Sequence, residues 1–150
     1  MAGRTNPVGT RGFRAAPRDR RMAEGIEFRK AHFPGRAPIE AYGNGGFRFA
    51  AMSHRGSILC LPSGIYGWEA TVEQPFTGER LLKVFEESDE IRFVLFGTGP
   101  DIRRLPPALA ERFRKAGISC DPMSTGAAVR TFNVMLAEGR PVAAALVAVD

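Results

Sequence analysis

The stretch that most constrains this chain is its last third, Ile91 to Asp150, which reads strand, glycine loop, helix, strand, polar loop, helix, strand. Ile91–Phe96 has the β-branched and aromatic content of a strand. Pro106-Pro107 suits a helix start, because a proline in the first turn has no needed amide to lose. Leu105, Leu109, Phe113 and Ala116 recur at helical spacing, with Glu111, Arg112, Arg114 and Lys115 on the opposite face. Gly117 is expected to end that helix in the left-handed conformation. Ile118-Ser119-Cys120 is the next strand. Ser124 or Thr125 is placed to cap a long helix to about Glu138, with Ala128, Val129, Phe132, Met135 and Leu136 as its apolar stripe. Gly139 and Pro141 stop it, and Val142–Val149 is the final strand. The crossovers are too long for hairpins, so the pattern predicts a right-handed βαβαβ unit and an α/β fold.

The first half reads differently. Ile26–Phe33 has the alternation of a short edge strand or extended arm, and His32-Phe33-Pro34-Gly35 turns the chain. Asn44-Gly45, between Ile39–Tyr42 and Phe47–Phe49, predicts a type I′ hairpin, since that turn needs positive φ at both central residues. Phe47 and Phe49 face one side of it and Arg48 the other. Ser57–Leu61 is a continuous apolar run, as expected of a strand buried on both faces. Ile65, Tyr66 and Trp68 follow as another short strand. Together these make an N-terminal β-meander. Thr77 is placed to cap a short helix with Leu81, Leu82 and Phe85 as its buried stripe, and Glu86, Glu87, Asp89 and Glu90 crowd its end as a solvated acidic turn.

Charge is distributed unevenly. Residues 1–21 hold six Arg and one Asp, which is the whole net charge of +5. Residues 22–150 hold fifteen basic and fifteen acidic residues. A neutral domain lacks the electrostatic footprint of a nucleic-acid binder. Residues 1–21 show no apolar period and are expected to be a disordered Arg-rich tail before one α/β domain at 22–150. The tail reads as an upstream extension with Met22 as the true start, as a basic arm for lipid or RNA, or as an organelle presequence. The longest apolar run is too short to cross a bilayer. Cys60 and Cys120 are expected to be buried free thiols in a reducing compartment, and His32 and His54 are isolated from other metal-ligating residues, so no metal is expected.

The two loops of the parallel unit, Gly97-Thr98-Gly99-Pro100 and Asp121–Gly126, are expected to meet at one sheet edge beside helix N-termini, where unpaired amides attract anions. The candidate ligand residues are Gly97, Thr98, Gly99, Asp121, Ser124, Thr125 and Arg130. Against this, Ile102 stands where a dinucleotide fingerprint has its third glycine, and Pro100 removes an amide. The competing reading is a tight turn with Asp121, Ser124 and Thr125 as local caps. Catalytic pairings are thin: Cys120 with His54 needs the fold to join them, and Ser63 lacks a nucleophile elbow. Asp121 with Arg130 reads first as a structural ion pair. Tyr66 and Trp68 read as core, or as interface residues if exposed.

Several segments also resemble one family: Tyr42–Phe49, Ser57–Gly64, Gly97–Pro100, Leu136–Ala145 and above all Met123-Ser124-Thr125-Gly126-Ala127-Ala128-Val129-Arg130-Thr131-Phe132-Asn133. It is the domain-of-unknown-function family that contains mitochondrial complex I assembly factor 3 and bacterial and archaeal proteins. The resemblance covers about residues 25–150. It implies a three-layer α/β fold around a mixed central sheet, with no settled activity, cofactor or catalytic residues. For the mitochondrial branch it implies a non-catalytic part in assembling respiratory complex I beside another assembly factor. The expectation is therefore a protein partner, complex I subunits or another assembly factor, with peripheral membrane association. The location expected is the bacterial cytoplasm, or the mitochondrial matrix if the source is eukaryotic. The alternative is a small-molecule or anion-binding domain, or an enzyme, using the crevice.

Overall fold

A computed structural model describes residues 32–150. The Arg-rich tail, Met22 and residues 26–31 of the expected N-terminal arm lie outside the described residues. The arm's end is a two-residue strand, β1 (Phe33–Pro34). Then come β2 (Ile39–Gly43), β3 (Gly46–Phe49), β4 (Met52–Arg55), β5 (Ser57–Leu61) and β6 (Gly64–Trp68). A 3-10 turn at Glu79–Leu82 leads into the one-turn helix α1 (Lys83–Glu86), and a second 3-10 turn covers Ser88–Glu90. The parallel unit is β7 (Phe93–Gly97), α2 (Pro107–Lys115), β8 (Ser119–Met123), α3 (Thr125–Ala137) and β9 (Val142–Leu146).

The central sheet has six strands in the order β1-β6-β5-β9-β7-β8. β9 lies parallel to β7, with Val142 opposite Phe93, and β7 lies parallel to β8, with Phe93 opposite Ser119. β9 pairs antiparallel with β5, with Ala145 opposite Leu59, so the sheet is mixed. Alternation along each inner strand divides its side chains between two cores. Leu59, Leu61, Val94, Phe96, Ala143 and Ala145 face a layer containing α1 and α2. Ile58, Cys60, Leu95, Val142, Ala144 and Leu146 face α3 and the strands β2 and β3. Three layers result, as expected.

The first half departs from a simple meander. β2, β3 and β4 form a separate three-stranded sheet. Its first turn is the expected one, with Asn44 at φ 52° and Gly45 at φ 77°. Its second turn, between β3 and β4, carries Ala50 and Ala51 at φ 49° and 61°, where glycine or asparagine is usual. That is why β4 escapes a sequence reading. Asn133 of α3 fastens this sheet to the helix: its Oδ1 accepts from Ile39 N at 2.8 Å and its Nδ2 donates to Ile39 O at 2.9 Å.

The short helix also differs from the expectation. Thr77 is not its cap, because Gly78 (φ 95°) is the residue that enters the 3-10 turn. Thr77 O instead accepts from Trp68 Nε1 at 2.9 Å. Leu81 and Val84 are its buried side chains, whereas Leu82 is exposed. The acidic turn is only partly solvated, since Glu87 is drawn inward by Ser63. Pro107 begins α2, with Leu105 and Phe113 buried, and Gly117 takes φ 77° as expected. Strand and helix ends shift by up to three residues: β7 ends at Gly97, α3 at Ala137 and β9 at Leu146.

Candidate functional site

The two loops of the parallel unit do meet. Thr125 joins them: its N–H donates to Gly99 O at 2.8 Å, and its hydroxyl accepts from Gly99 N at 3.0 Å. The same hydroxyl donates to Val147 O at 2.7 Å, in a fully buried position. Thr98 turns inward likewise. Its hydroxyl lies 2.7 Å from Asp101 O and 3.1 Å from Met123 O, and accepts from Arg103 N at 2.9 Å. Ser124 is the cap of α3, accepting from Ala127 N at 3.3 Å. Both threonine hydroxyls are therefore committed to backbone. Thr125 is not a local cap but a bridge to distant segments, and Ser124 alone caps the helix.

Gly97 is held by packing. A Cβ there would stand 2.9 Å from Thr125 Cα and 3.2 Å from Ala128 Cβ, so only glycine lets α3 sit this close to β7. Gly99 (φ 117°) is similarly overlaid by Val72.

What remains open is a cleft of about 560 Å³, within the range of ligand pockets. Gly99, Ser124 and Arg130, three of the seven candidate residues, line it. Gly97, Thr98, Asp121 and Thr125 do not. Gly126, from the expected loop, also lines it, and the residues that sequence reasoning missed are Tyr42, Val72, Glu73, Val149 and Asp150, which arrive from the hairpin, an irregular segment and the segment after β9. Their spacing carries no signal, because the fold alone brings them together. Tyr42 lies directly over the first turn of α3: a Cβ on Gly126 would collide with its hydroxyl and stand 3.6 Å from Arg130 Nη1. Tyr42 and Arg130 are both exposed. Among the described residues, no carboxylate lies within the 4.0 Å ion-pair distance of Arg130, Asp121 included.

The other candidates separate. Tyr66 and Trp68 are buried in the core on the α1/α2 side, so neither meets the condition of exposure for an interface residue. Tyr66 Oη lies 2.5 Å from Ser63 Oγ, and Ser63 Oγ donates to Glu87 Oε2 at 2.6 Å. That triad ties the β5–β6 turn to the end of α1. Cys120 is on β8, while His54 is on β4 and packs against Gly67 of β6. Four strand spacings separate β6 from β8, about 19 Å, so the fold does not join the thiol to the imidazole. Burial raises the Cys60 thiol far above its ordinary value, and burial, then the charge of Asp121, pushes Cys120 up to about 12. Both cysteines are free, Cys60 buried as expected and Cys120 only half-buried on the edge strand, and neither is an activated nucleophile. His54 meets His32 instead, with ring centroids 4.5 Å apart. Desolvation, then the charges of His54 and Arg80, lowers His32 to about 4. No cluster of three or more metal-ligating side chains occurs among the described residues.

Residues 39–147 match a family described as protein of unknown function (DUF498/DUF598). An uncharacterized protein of Rhodobacter capsulatus is 38% identical over 79% of this chain and 90% of its own length. Mouse NADH dehydrogenase (ubiquinone) 1 alpha subcomplex assembly factor 3 is 30% identical over 91% of this chain and 75% of its own length. A solved structure described as an outer membrane protein from Bartonella henselae is 61% identical, with a TM-score of 0.75, covering 79% of this chain and all of that one. The chain belongs to the DUF498/DUF598 family.

Proposed function

We propose that this DUF498/DUF598 chain is a non-catalytic interaction protein that assists assembly of a membrane-bound respiratory complex, complex I first, from the cytoplasmic side. The observation that carries this reading is its similarity to the mouse assembly factor along nearly the whole chain. The site chemistry supports it. The hydroxyls of Thr98 and Thr125 are turned into the backbone, and the cysteine and histidine considered as a pair lie in different sheets. No helix among the described residues is long and apolar enough to cross a membrane. Binding to a membrane complex would then run through its exposed subunits.

Tagged chain purified in mild detergent from the cells that make it tests the partner directly. Complex I subunits or a second assembly factor are expected among the bound proteins, enriched over an untagged control. Recovery without any inner-membrane protein contradicts the reading. The outer-membrane description of the Bartonella relative is the competing location. Running the purification on separated membranes tells the two apart.

A further inference from the structure

Arg130 is the one polar side chain in the first two turns of α3 with no partner among the described residues. Thr125 binds Gly99 and Val147, and Thr131 Oγ1 donates to Ala127 O at 2.9 Å. One turn further on, Asn133 binds Ile39. Arg130 stays in the cleft, where the missing Cβ of Gly126 brings its guanidinium and the Tyr42 hydroxyl to one spot on the first helical turn. The Gly126 amide, in that turn, has no intrahelical acceptor. Two donor groups thus converge beside an open amide of the same turn, a suitable seat for a carboxylate.

The rest of the cleft selects what the carboxylate belongs to. Glu73 and Asp150 line the same space, beyond ion-pair distance from Arg130. One cation faces two anions, so a phosphate dianion or a nucleic-acid backbone would be repelled overall. Val72, Pro100 and Val149 supply apolar wall to the same cleft. A complementary ligand is dipolar, with an acidic group for Tyr42 and Arg130 and a basic group for Glu73 and Asp150. The cleft is open to solvent and larger than a single amino acid fills, which favours a segment of chain over a free metabolite.

We propose that this cleft docks a dipolar peptide segment of a protein partner, its acidic side chain against Tyr42 and Arg130 and its basic side chain against Glu73 and Asp150. This deepens the interaction reading and rests on it.

The test is an amide-shift titration of the full ¹⁵N-labelled chain with the capped peptide Gly-Glu-Gly-Gly-Lys-Gly. The same peptide with only its Glu or only its Lys, and inorganic phosphate, serve as comparisons. The dipolar peptide is expected to shift the amides of Tyr42, Gly99 and Gly126 saturably, and to bind several-fold more tightly than either single-charge peptide. Arg130→Gln and Glu73→Gln are each expected to weaken it about tenfold with an unchanged melting temperature. Three results overturn the proposal: no saturable shifts, binding indifferent to both substitutions, or phosphate saturating the same amides in place of the peptide. In cells, Arg130→Gln separates the two readings. If the variant supports complex assembly fully while deletion of the chain abolishes it, the cleft proposal falls and the assembly reading stands. If deletion has no effect while the peptide still binds, the assembly reading falls alone.

Discussion

Thr125 holds together three segments beside the cleft. One buried hydroxyl bridges the glycine loop after β7, the first turn of α3 and the end of β9. Thr125→Val keeps the shape and removes both bonds, leaving Gly99 N–H and Val147 C=O unpaired in the interior. The expected loss of folding stability is about 2–4 kcal/mol, against about 1 kcal/mol for Thr125→Ser, which keeps the hydroxyl. Urea denaturation of the two variants checks this, and equal losses would contradict it. The pair Ser124-Thr125 after a strand is legible as a helix start. Which hydroxyl caps and which turns inward is not, because that depends on the phase of the first turn against a neighbouring loop. Tyr42 was beyond reach for a related reason. Its hydroxyl matters through Gly126, eighty-four residues later in the chain.

At the scale of elements, the two turns of the small sheet make a controlled comparison. Asn44-Gly45 has the residues its backbone requires, and the hairpin is legible from them. Ala50-Ala51 adopts the same left-handed conformation without those residues, so both β4 and the turn are hidden in the sequence. An alanine there pays about 1 kcal/mol of steric strain that glycine avoids. Replacing Ala50-Ala51 with Asn-Gly is therefore expected to raise stability by about 1–2 kcal/mol, read by thermal or chemical denaturation. A neutral or destabilising result would mean that other contacts set this turn. The parallel unit, by contrast, is largely legible. Proline opens α2, glycines close both long helices, and β7 and β9 are compact apolar runs. β8 is the exception: Asp121-Pro122-Met123, which read as a polar loop, continues the strand, because an edge position leaves it without a buried face to show in the sequence. The glycine-opened entry to the Glu79–Leu82 turn has no cap to announce it, and the sequence offered Thr77 instead.

Over the whole molecule, the mixed sheet follows from one strand. β9 is buried along its full length and meets a parallel neighbour on one side and an antiparallel one on the other. Its Ala143-Ala144-Ala145 run is buried between the two flanking layers. Strand alternation alone does not say that β2–β4 leave the central sheet to form their own. Nor does it say that their hairpin reaches round to α3 and builds one wall of the cleft. The layers were legible, whereas the site formed between them was not. A neutral body, a cleft of mixed charge and a relative named for complex assembly fit a protein that holds another protein. The most direct test is to delete the gene in its source organism and measure assembled complex I by native gel and NADH-linked activity, then restore the intact chain. Loss of the assembled complex, recovered on restoration, is the predicted result. Unchanged complex I in the deletion strain would contradict the account.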